Sequence, residues 1–173
     1  MDELSAPNPF FEIVLGTLIM IVIIFVHGVG IRTINQRFSR SWIHVNSATP
    51  HWRINLLFAV TIGSLAALHF AETFLWAAPV SLMGLIPSMR DSYYFVLESY
   101  TTLGEGAVNL PDQWRLIGPI MAMSGLFTFG WTGSVLVSIM TEFGKLDRVR
   151  AKMEPMDRGR SDAANTTQDQ RSA

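Results

Sequence analysis

Three apolar stretches, each long enough to cross a bilayer as a helix, constrain the fold of this chain more than any other feature. They cover residues 10–31, 54–83 and 116–140, and a hydrocarbon core of about 30 Å is crossed by about 20 helical residues. Within them the ionisable residues are few, namely Glu12, His27, His69 and Glu72. The pattern predicts an all-α integral membrane protein with three transmembrane helices.

The composition excludes several other classes of protein. The 173 residues carry a net charge of −1, without the basic surplus that phosphate contacts require, so no nucleic-acid partner is expected. The chain has no cysteine, which excludes disulfides, iron–sulfur clusters, thiolate metal sites and thiol catalysis. We expect no enzymatic activity.

The arginines and lysines predict how the chain lies in the membrane. They are concentrated between the first two stretches and after the third, whereas the amino terminus has none. Cytoplasmic segments carry such an excess, so we expect the amino terminus outside and the carboxyl terminus in the cytoplasm of a multi-pass cell (inner) membrane protein. The acidic start of the chain does not resemble a cleavable signal peptide, so the first span is expected to be retained.

The stretches divide the chain into three units. Residues 1–53 form an N-terminal transmembrane helix with a basic cytoplasmic linker, 54–142 a membrane domain, and 143–173 a cytoplasmic, largely disordered tail. In the linker, apolar residues recur at nearly helical spacing, which indicates either a short interfacial helix or a basic loop with an aromatic anchor. The residues are Ile34, Phe38, Trp42 and Val45.

The segment 88–115 is too short and too polar to be a further span. An apolar and aromatic run over 93–100 predicts about three helical turns, and glycines follow it at Gly104 and Gly106. Irregular backbone at membrane depth is tolerated only where protein buries it or where it lines an aqueous cavity. We therefore expect a re-entrant helix and loop, which is the geometry of a channel.

The sequence Thr101-Thr102-Leu103-Gly104-Glu105-Gly106 resembles the selectivity-filter signature Thr-Thr-Val-Gly-Tyr-Gly of tetrameric potassium channels. Residues 68–76, Trp114-Arg115 and 127–131 extend the similarity, which covers about 65–140, to small bacterial potassium-channel-like proteins of the two-transmembrane pore class. The resemblance implies an outer helix, a pore helix with a filter loop and an inner helix. It also implies a homotetramer in the lipid bilayer, because one loop supplies a quarter of the ring.

In such a filter, backbone carbonyls replace the hydration shell of the ion. The resemblance assigns ion binding to residues 101–106, with carbonyls from 102–105 and the Thr102 hydroxyl. Gly104 and Gly106 would adopt positive φ, which glycine accepts readily. The permeant ion would be K⁺ or another cation, and no other metal or cofactor is implied.

Three residues are expected to support the filter, namely Tyr94, Phe95 and Glu98. Glu98 would brace the loop or hydrogen-bond a neighbouring backbone group. Glu105 replaces the filter tyrosine, and its carboxylate would either form an acidic ring in the pore or lie behind the filter. Potassium selectivity is accordingly open, with a non-selective or divalent-permeable channel as the alternative.

The remaining candidate residues lie on the spans. His69 and Glu72 share one helix face and are expected to pair with each other or with the pore helix, because a metal site there lacks a third ligand. His27 is interpreted as interfacial, with a haem between His27 and His69 as an alternative. Gly125 and Gly130 would serve as inner-helix hinges or as packing positions.

A further alternative function follows from the pattern, and so does an expectation about gating. The chain could be a non-conducting subunit of a membrane complex that keeps a channel-like fold. Because so short a chain holds no voltage sensor or regulatory domain, gating would come from the pore, lipid, protons or an unidentified regulatory membrane partner.

Overall fold

The computed structural model describes the backbone of residues 8–172 and the side chains of residues 8–153. Within this part the secondary structure is helical, without strands. The elements are α1 (Pro9–Trp42), α2 (His51–Leu82), α3 (Met89–Tyr100), a 3-10 turn (Asp112–Trp114) and α4 (Ile117–Ser172). Three helical segments are long and apolar enough to cross a membrane: Pro9–Trp42, His51–Leu82 and Asp112–Met153. This matches the three predicted spans.

Helix α1 is longer than the first predicted span. It continues through 34 residues to Trp42, so the predicted interfacial helix is its last part and the connecting loop covers only 43–50. Neither proline nor glycine interrupts the chain between Gly30 and Pro50, and Phe38 is buried against Trp42 and Phe143. Packing of this aromatic face keeps the helix intact beyond the apolar run.

The helices pack in a ring that follows their order in the chain. Helix α1 contacts α2 and α4, helix α3 contacts the same two, and α2 and α4 touch each other little. The main core lies where α3 is held between α2 and α4, and Trp76, Val96, Tyr100 and Met121 are at most 1% exposed there. The Trp76 indole donates a hydrogen bond of 2.9 Å to Ser124 Oγ, which satisfies its polar atom inside the core.

Contacts at the two helix ends fix which loops lie together. Glu12 is only 3% exposed, and its Oε2 accepts a hydrogen bond of 3.0 Å from the amide of Leu116. The start of α1 therefore lies beside the start of α4 and the preceding 101–116 segment. The loop 43–50 lies at the opposite end of the bundle.

The end of the chain differs from the sequence-based expectation. Helix α4 continues to Ser172, where residues 143–173 were expected to be largely disordered. Extending a formed helix by one residue fixes that residue alone and forms one hydrogen bond, which makes extension easier than starting a new helix. Residues 1–7 of the predicted N-terminal unit and the last residue of the tail lie outside the described residues.

Candidate functional site

The short helix α3 begins and ends where the sequence indicates. The Ser88 hydroxyl accepts a hydrogen bond of 3.4 Å from the amide of Asp91, and the Asp91 carboxylate lies in the first turn, where it complements the helix dipole. The helix has 12 residues and ends at Tyr100, directly before the predicted filter. Its buried face holds Phe95 and Val96, which pack into the core.

The segment after α3 has an unusual backbone. Thr102, Gly104 and Gly106 have φ values of 61°, 62° and 71°, so every second residue is left-handed. The positive φ expected at both glycines is confirmed. Thr102 is the only non-glycine residue with positive φ in the described part of the chain, and such a conformation costs about 1–2 kcal/mol. Strain of this kind persists only where the surroundings hold it in place.

Hydrogen bonds to the end of α3 hold the first part of this segment. The Glu98 carbonyl accepts from the amides of Leu103 and Gly104 at 2.8 and 3.4 Å, and the Leu97 carbonyl accepts from the Thr101 amide at 3.0 Å. These carbonyls would otherwise have no partner at the helix terminus. The same bonds that end the helix therefore set the position of the loop.

A cavity of about 330 Å³ lies beside the loop. Phe95, Glu98, Thr102, Gly104 and Arg115 contribute to its lining. Glu98 is 4% exposed, and its Oε2 has no hydrogen-bond partner among the described residues. Two of the predicted supporting residues are thus adjacent to the loop, and the contact of Glu98 with the loop amides is through its backbone carbonyl.

Tyr94 and Glu105 are joined directly. The Tyr94 hydroxyl donates a hydrogen bond of 2.6 Å to Glu105 Oε2, which turns the carboxylate toward α3. This hydrogen bond, together with the nearby negative charge, raises the pKa of the Tyr94 phenol. Of the two orientations that the sequence leaves open, the structure has the one in which Glu105 contacts the short helix.

A buried polar network connects α3 with the three long helices. Glu72 is fully buried and accepts hydrogen bonds from His27 Nδ1 at 2.7 Å and from the Tyr100 hydroxyl at 2.6 Å. The Tyr100 hydroxyl also contacts Thr128 Oγ1. His69 Nδ1 lies 3.2 Å from the Tyr100 hydroxyl and 3.6 Å from Glu72 Oε2. His69 and Glu72, which were expected to pair with each other or with the short helix, thus both contact Tyr100 at the end of α3.

The interpretation of His27 as an interfacial residue is wrong. Its side chain is fully buried, and its Nε2 lies 3.4 Å from Thr132 Oγ1 of α4. A donor in a low-dielectric interior needs a partner, and His27 has one on α2 and one on α4. The residue links the extra N-terminal helix to the rest of the bundle.

His27 also supplies the third donor that a metal site at His69 and Glu72 lacked. The three donor atoms all lie within 4.8 Å of one another. However, the groups already satisfy each other and the neighbouring hydroxyls by hydrogen bonds, so their burial requires no ion. A haem between the histidines does not fit, because their ring centroids are only 5.3 Å apart and Glu72 is bonded to one ring.

The two glycines of α4 have different surroundings. A Cβ at Gly125 would overlap the Tyr100 carbonyl oxygen and lie 3.0 Å from its carbonyl carbon. A Cβ at Gly130 would have nothing within 4 Å. Gly125 is therefore a packing position that lets α4 reach the end of α3, whereas a hinge at Gly130 stays a prediction.

Three members of the network were not predicted from the sequence, namely Tyr100, Thr128 and Thr132. The available signal was the i, i+4 spacing of the two threonines on α4, which places both hydroxyls on one helix face. Tyr100 was read only as part of an aromatic run, although its hydroxyl requires a partner when buried.

The observed fold defines an all-helical protein with three segments long and apolar enough to cross a membrane. Comparisons with protein-family models, curated proteins and solved structures give no match. The function must therefore be argued from the residues themselves.

Proposed function

We propose that the chain is one subunit of a homotetrameric cation channel whose filter is the segment 101–106. The observation that carries this proposal is the alternation of positive φ at Thr102, Gly104 and Gly106 directly after a 12-residue helix. In an ordinary extended chain, successive carbonyl oxygens point to opposite sides. A left-handed residue at every second position removes this alternation, so that successive carbonyl oxygens can point to one side. A row of carbonyls on one side is what a carbonyl-lined filter requires.

The exposure of this segment supports an assembly around it. Residues 101–106 are all exposed in the single chain, and the Leu103 side chain is 61% exposed. An apolar side chain on a strained and exposed loop is unfavourable in isolation, and neighbouring subunits would cover it. Because one loop contributes one quarter of a closed ring, cyclic fourfold symmetry is the simplest arrangement.

The contact between Tyr94 and Glu105 favours a carbonyl cage over an acidic ring. A carboxylate bonded to the short helix holds the loop from behind, which is the support that the missing filter tyrosine would give. Glu105 therefore acts as a brace in this proposal, and K⁺ is the favoured permeant ion. The buried network extends the support, because it bonds Tyr100, the residue before the filter, to α2 and α4.

The orientation in the membrane follows from the distribution of charge. The loop 43–50 is flanked by Arg40 and Arg53, and basic residues on α4 lie at the same end of the bundle. In the proposed channel this end is cytoplasmic and the segment 101–116 faces outward.

Ion flux through the purified full-length chain in liposomes tests the proposal. Reversal potentials in mixed K⁺ and Na⁺ give the selectivity, and we expect preference for K⁺. Gly104→Ala should abolish flux, because an added Cβ strains the positive φ on which the carbonyl row depends.

Gly84→Ala is the matched control for this experiment. Gly84 has a φ of 68° and, like Gly104, nothing within 4 Å of an added Cβ, but it lies in the loop after α2. Both variants carry the same local strain, and only Gly104→Ala should lose flux. Equal flux in both variants would place the pore elsewhere.

No flux from a folded, tetrameric parent would favour the non-conducting subunit, and permeation by divalent ions would favour the acidic-ring channel.

A further inference from the structure

A continuous cleft runs between α1 and α2 at the end of the bundle away from the segment 101–106. The two helices are in close contact at Gly30, where an added Cβ would lie 2.6 Å from Leu68 Cδ1. From this contact to the loop 43–50 the cleft is formed by two cavities of about 540 and 520 Å³. Both include Ser41 and Leu57 in their walls, so they are parts of one groove.

The two halves of the groove differ in chemistry. The half nearer the middle of the bundle is mainly apolar, with walls that include Ile34, Val60 and Leu68. The half at the loop has a larger share of polar residues in its walls, including His44 and Arg53, although most of its surface is apolar too. Arg37 lines the apolar half. A groove that is apolar toward the bilayer core and basic at its end matches an acyl chain joined to an anionic headgroup.

The charges around the groove have no acidic counterpart. The sequence contains neither Asp nor Glu between Glu12 and Glu72. Neither Arg37 nor Arg53 forms an ion pair with any described side chain. Two guanidinium groups without carboxylate partners at the end of an apolar cleft favour a ligand that supplies a negative charge, since planar guanidinium groups bind phosphate well.

The polar half of the groove is held in place by α4. The Arg150 guanidinium donates to the backbone carbonyls of Asn46 and Thr49, and lies 3.0 Å from His51 Nδ1. These contacts attach the second half of the loop 43–50 to α4. The groove is therefore formed by α1, α2 and the loop 43–50, and α4 holds that loop in place.

We propose that this groove binds one anionic phospholipid, with the phosphate between Arg37 and Arg53 and an acyl chain along α1 and α2. The lipid is preferred to a free phosphate because the apolar half would otherwise be left unfilled. The proposal does not depend on channel activity, and its test measures no ion flux.

Native mass spectrometry of the full-length protein in mild detergent, titrated with phosphatidylglycerol or with phosphatidylcholine of the same acyl chains, tests the proposal. We expect one phosphatidylglycerol per chain to be retained at concentrations where phosphatidylcholine is lost. The double variant Arg37→Gln/Arg53→Gln should weaken phosphatidylglycerol binding by about tenfold or more, as the loss of two interfacial arginines implies.

The matched control for charge is Arg32→Gln/Arg40→Gln. It removes the same charge from the same end of the bundle, but neither residue lines the groove. Its binding should stay within about twofold of the parent. An equal loss in both double variants would mean general attraction of anionic lipid to the basic end, and would overturn the site.

A second pair of variants tests the apolar half without changing charge. Ala67 lines the groove and the neighbouring Ala66 does not, so Ala67→Trp should block retention of phosphatidylglycerol whereas Ala66→Trp should not. Unchanged binding in Ala67→Trp would overturn the proposal. Binding of glycerol 3-phosphate as tightly as the lipid would also overturn it. A change of oligomeric mass in Ala67→Trp without bound lipid would instead assign the groove to a second copy of the chain, which would overturn the lipid proposal as well. Circular dichroism of each variant verifies that helix content is retained.

Discussion

The close approach of α4 to the end of α3 at Gly125 gives the sharpest prediction. In Gly125→Ala the new methyl group would overlap the Tyr100 carbonyl oxygen, with the carbonyl carbon at 3.0 Å and the ring carbon Cδ1 at 3.3 Å. Favourable carbon contacts lie at about 3.5–4.0 Å, so the end of α3 must move by about 0.5–1 Å or more. The obstacle is backbone, which cannot move aside by changing a rotamer.

The cost of this movement can be estimated from its parts. Alanine is favoured over glycine in a helix by about 1 kcal/mol, which would stabilise the variant if space were available. Overpacking of a well-packed core costs about 1–3 kcal/mol, and a backbone obstacle places Gly125→Ala at the upper end. The net loss in the free energy of unfolding is expected to be about 2 kcal/mol.

Gly130→Ala is the control for the same helix. Nothing lies within 4 Å of its added Cβ, so the propensity gain of about 1 kcal/mol should be the main effect. The two variants should therefore differ by about 3 kcal/mol. Titration of the detergent-solubilised protein with a denaturing detergent, followed by circular dichroism and tryptophan fluorescence, measures this difference.

Flux separates packing from hinge motion at these positions. Gly125→Ala should also lose flux, because Tyr100 directly precedes the proposed filter. Loss of flux in Gly130→Ala with unchanged stability would identify Gly130 as a hinge. If Gly125→Ala unfolds at the same denaturant concentration as Gly130→Ala, the close approach of α3 to α4 is not part of the folded protein and the reasoning is refuted.

Three other sets of substitutions test the contacts around the loop, the buried network and the start of α4. Tyr94→Phe should reduce the selectivity for K⁺ over Na⁺ that reversal potentials measure, because it removes the hydrogen bond to Glu105. Adding Glu105→Gln should cause little further change, and additive effects would mean that the two residues act separately. Glu72→Gln should lower the free energy of unfolding by about 2–4 kcal/mol, since it disturbs a buried hydrogen-bonded charge. The control Glu142→Gln, whose side chain is 40% exposed, should lower it by less than about 0.5 kcal/mol. Glu12→Ala should lower the free energy of unfolding by about 1 kcal/mol, because the Leu116 amide at the start of α4 loses its acceptor. Glu12→Gln keeps an acceptor oxygen and should lower it by less. An equal loss for both variants in denaturant titration would exclude a capping role.

The elements of the fold were largely predictable from the sequence. Long apolar runs identify spans because the bilayer fixes their length, and a short helix ending before Gly104 and Gly106 follows from local composition. The positions of the helix ends were less predictable. Helix α1 extends to Trp42 because Phe38 and Trp42 pack against Phe143, a residue distant in the sequence.

The partners of the buried ionisable residues could be anticipated only in part. His69 and Glu72 are three residues apart, so helical geometry places them together without further information. His27 lies 45 residues before Glu72 in the chain, and their contact depends on how α1 is rotated against α2. Apolar surfaces of similar hydrophobicity give no sequence signal for that rotation, so His27 was taken as interfacial.

The sequence by itself determined that the chain forms long apolar helices with a short helix and a glycine-containing segment between the last two, because hydrophobic length and glycine conformation are local properties. Only the tertiary structure decided that Glu105 contacts Tyr94, that Glu72 joins α1 to the end of α3, and that Gly125 is a packing position. The first depends on how the segment 101–106 folds back against α3, and the other two depend on distances between separate helices. Such distances are set by the fit of whole helix surfaces, which no local pattern encodes.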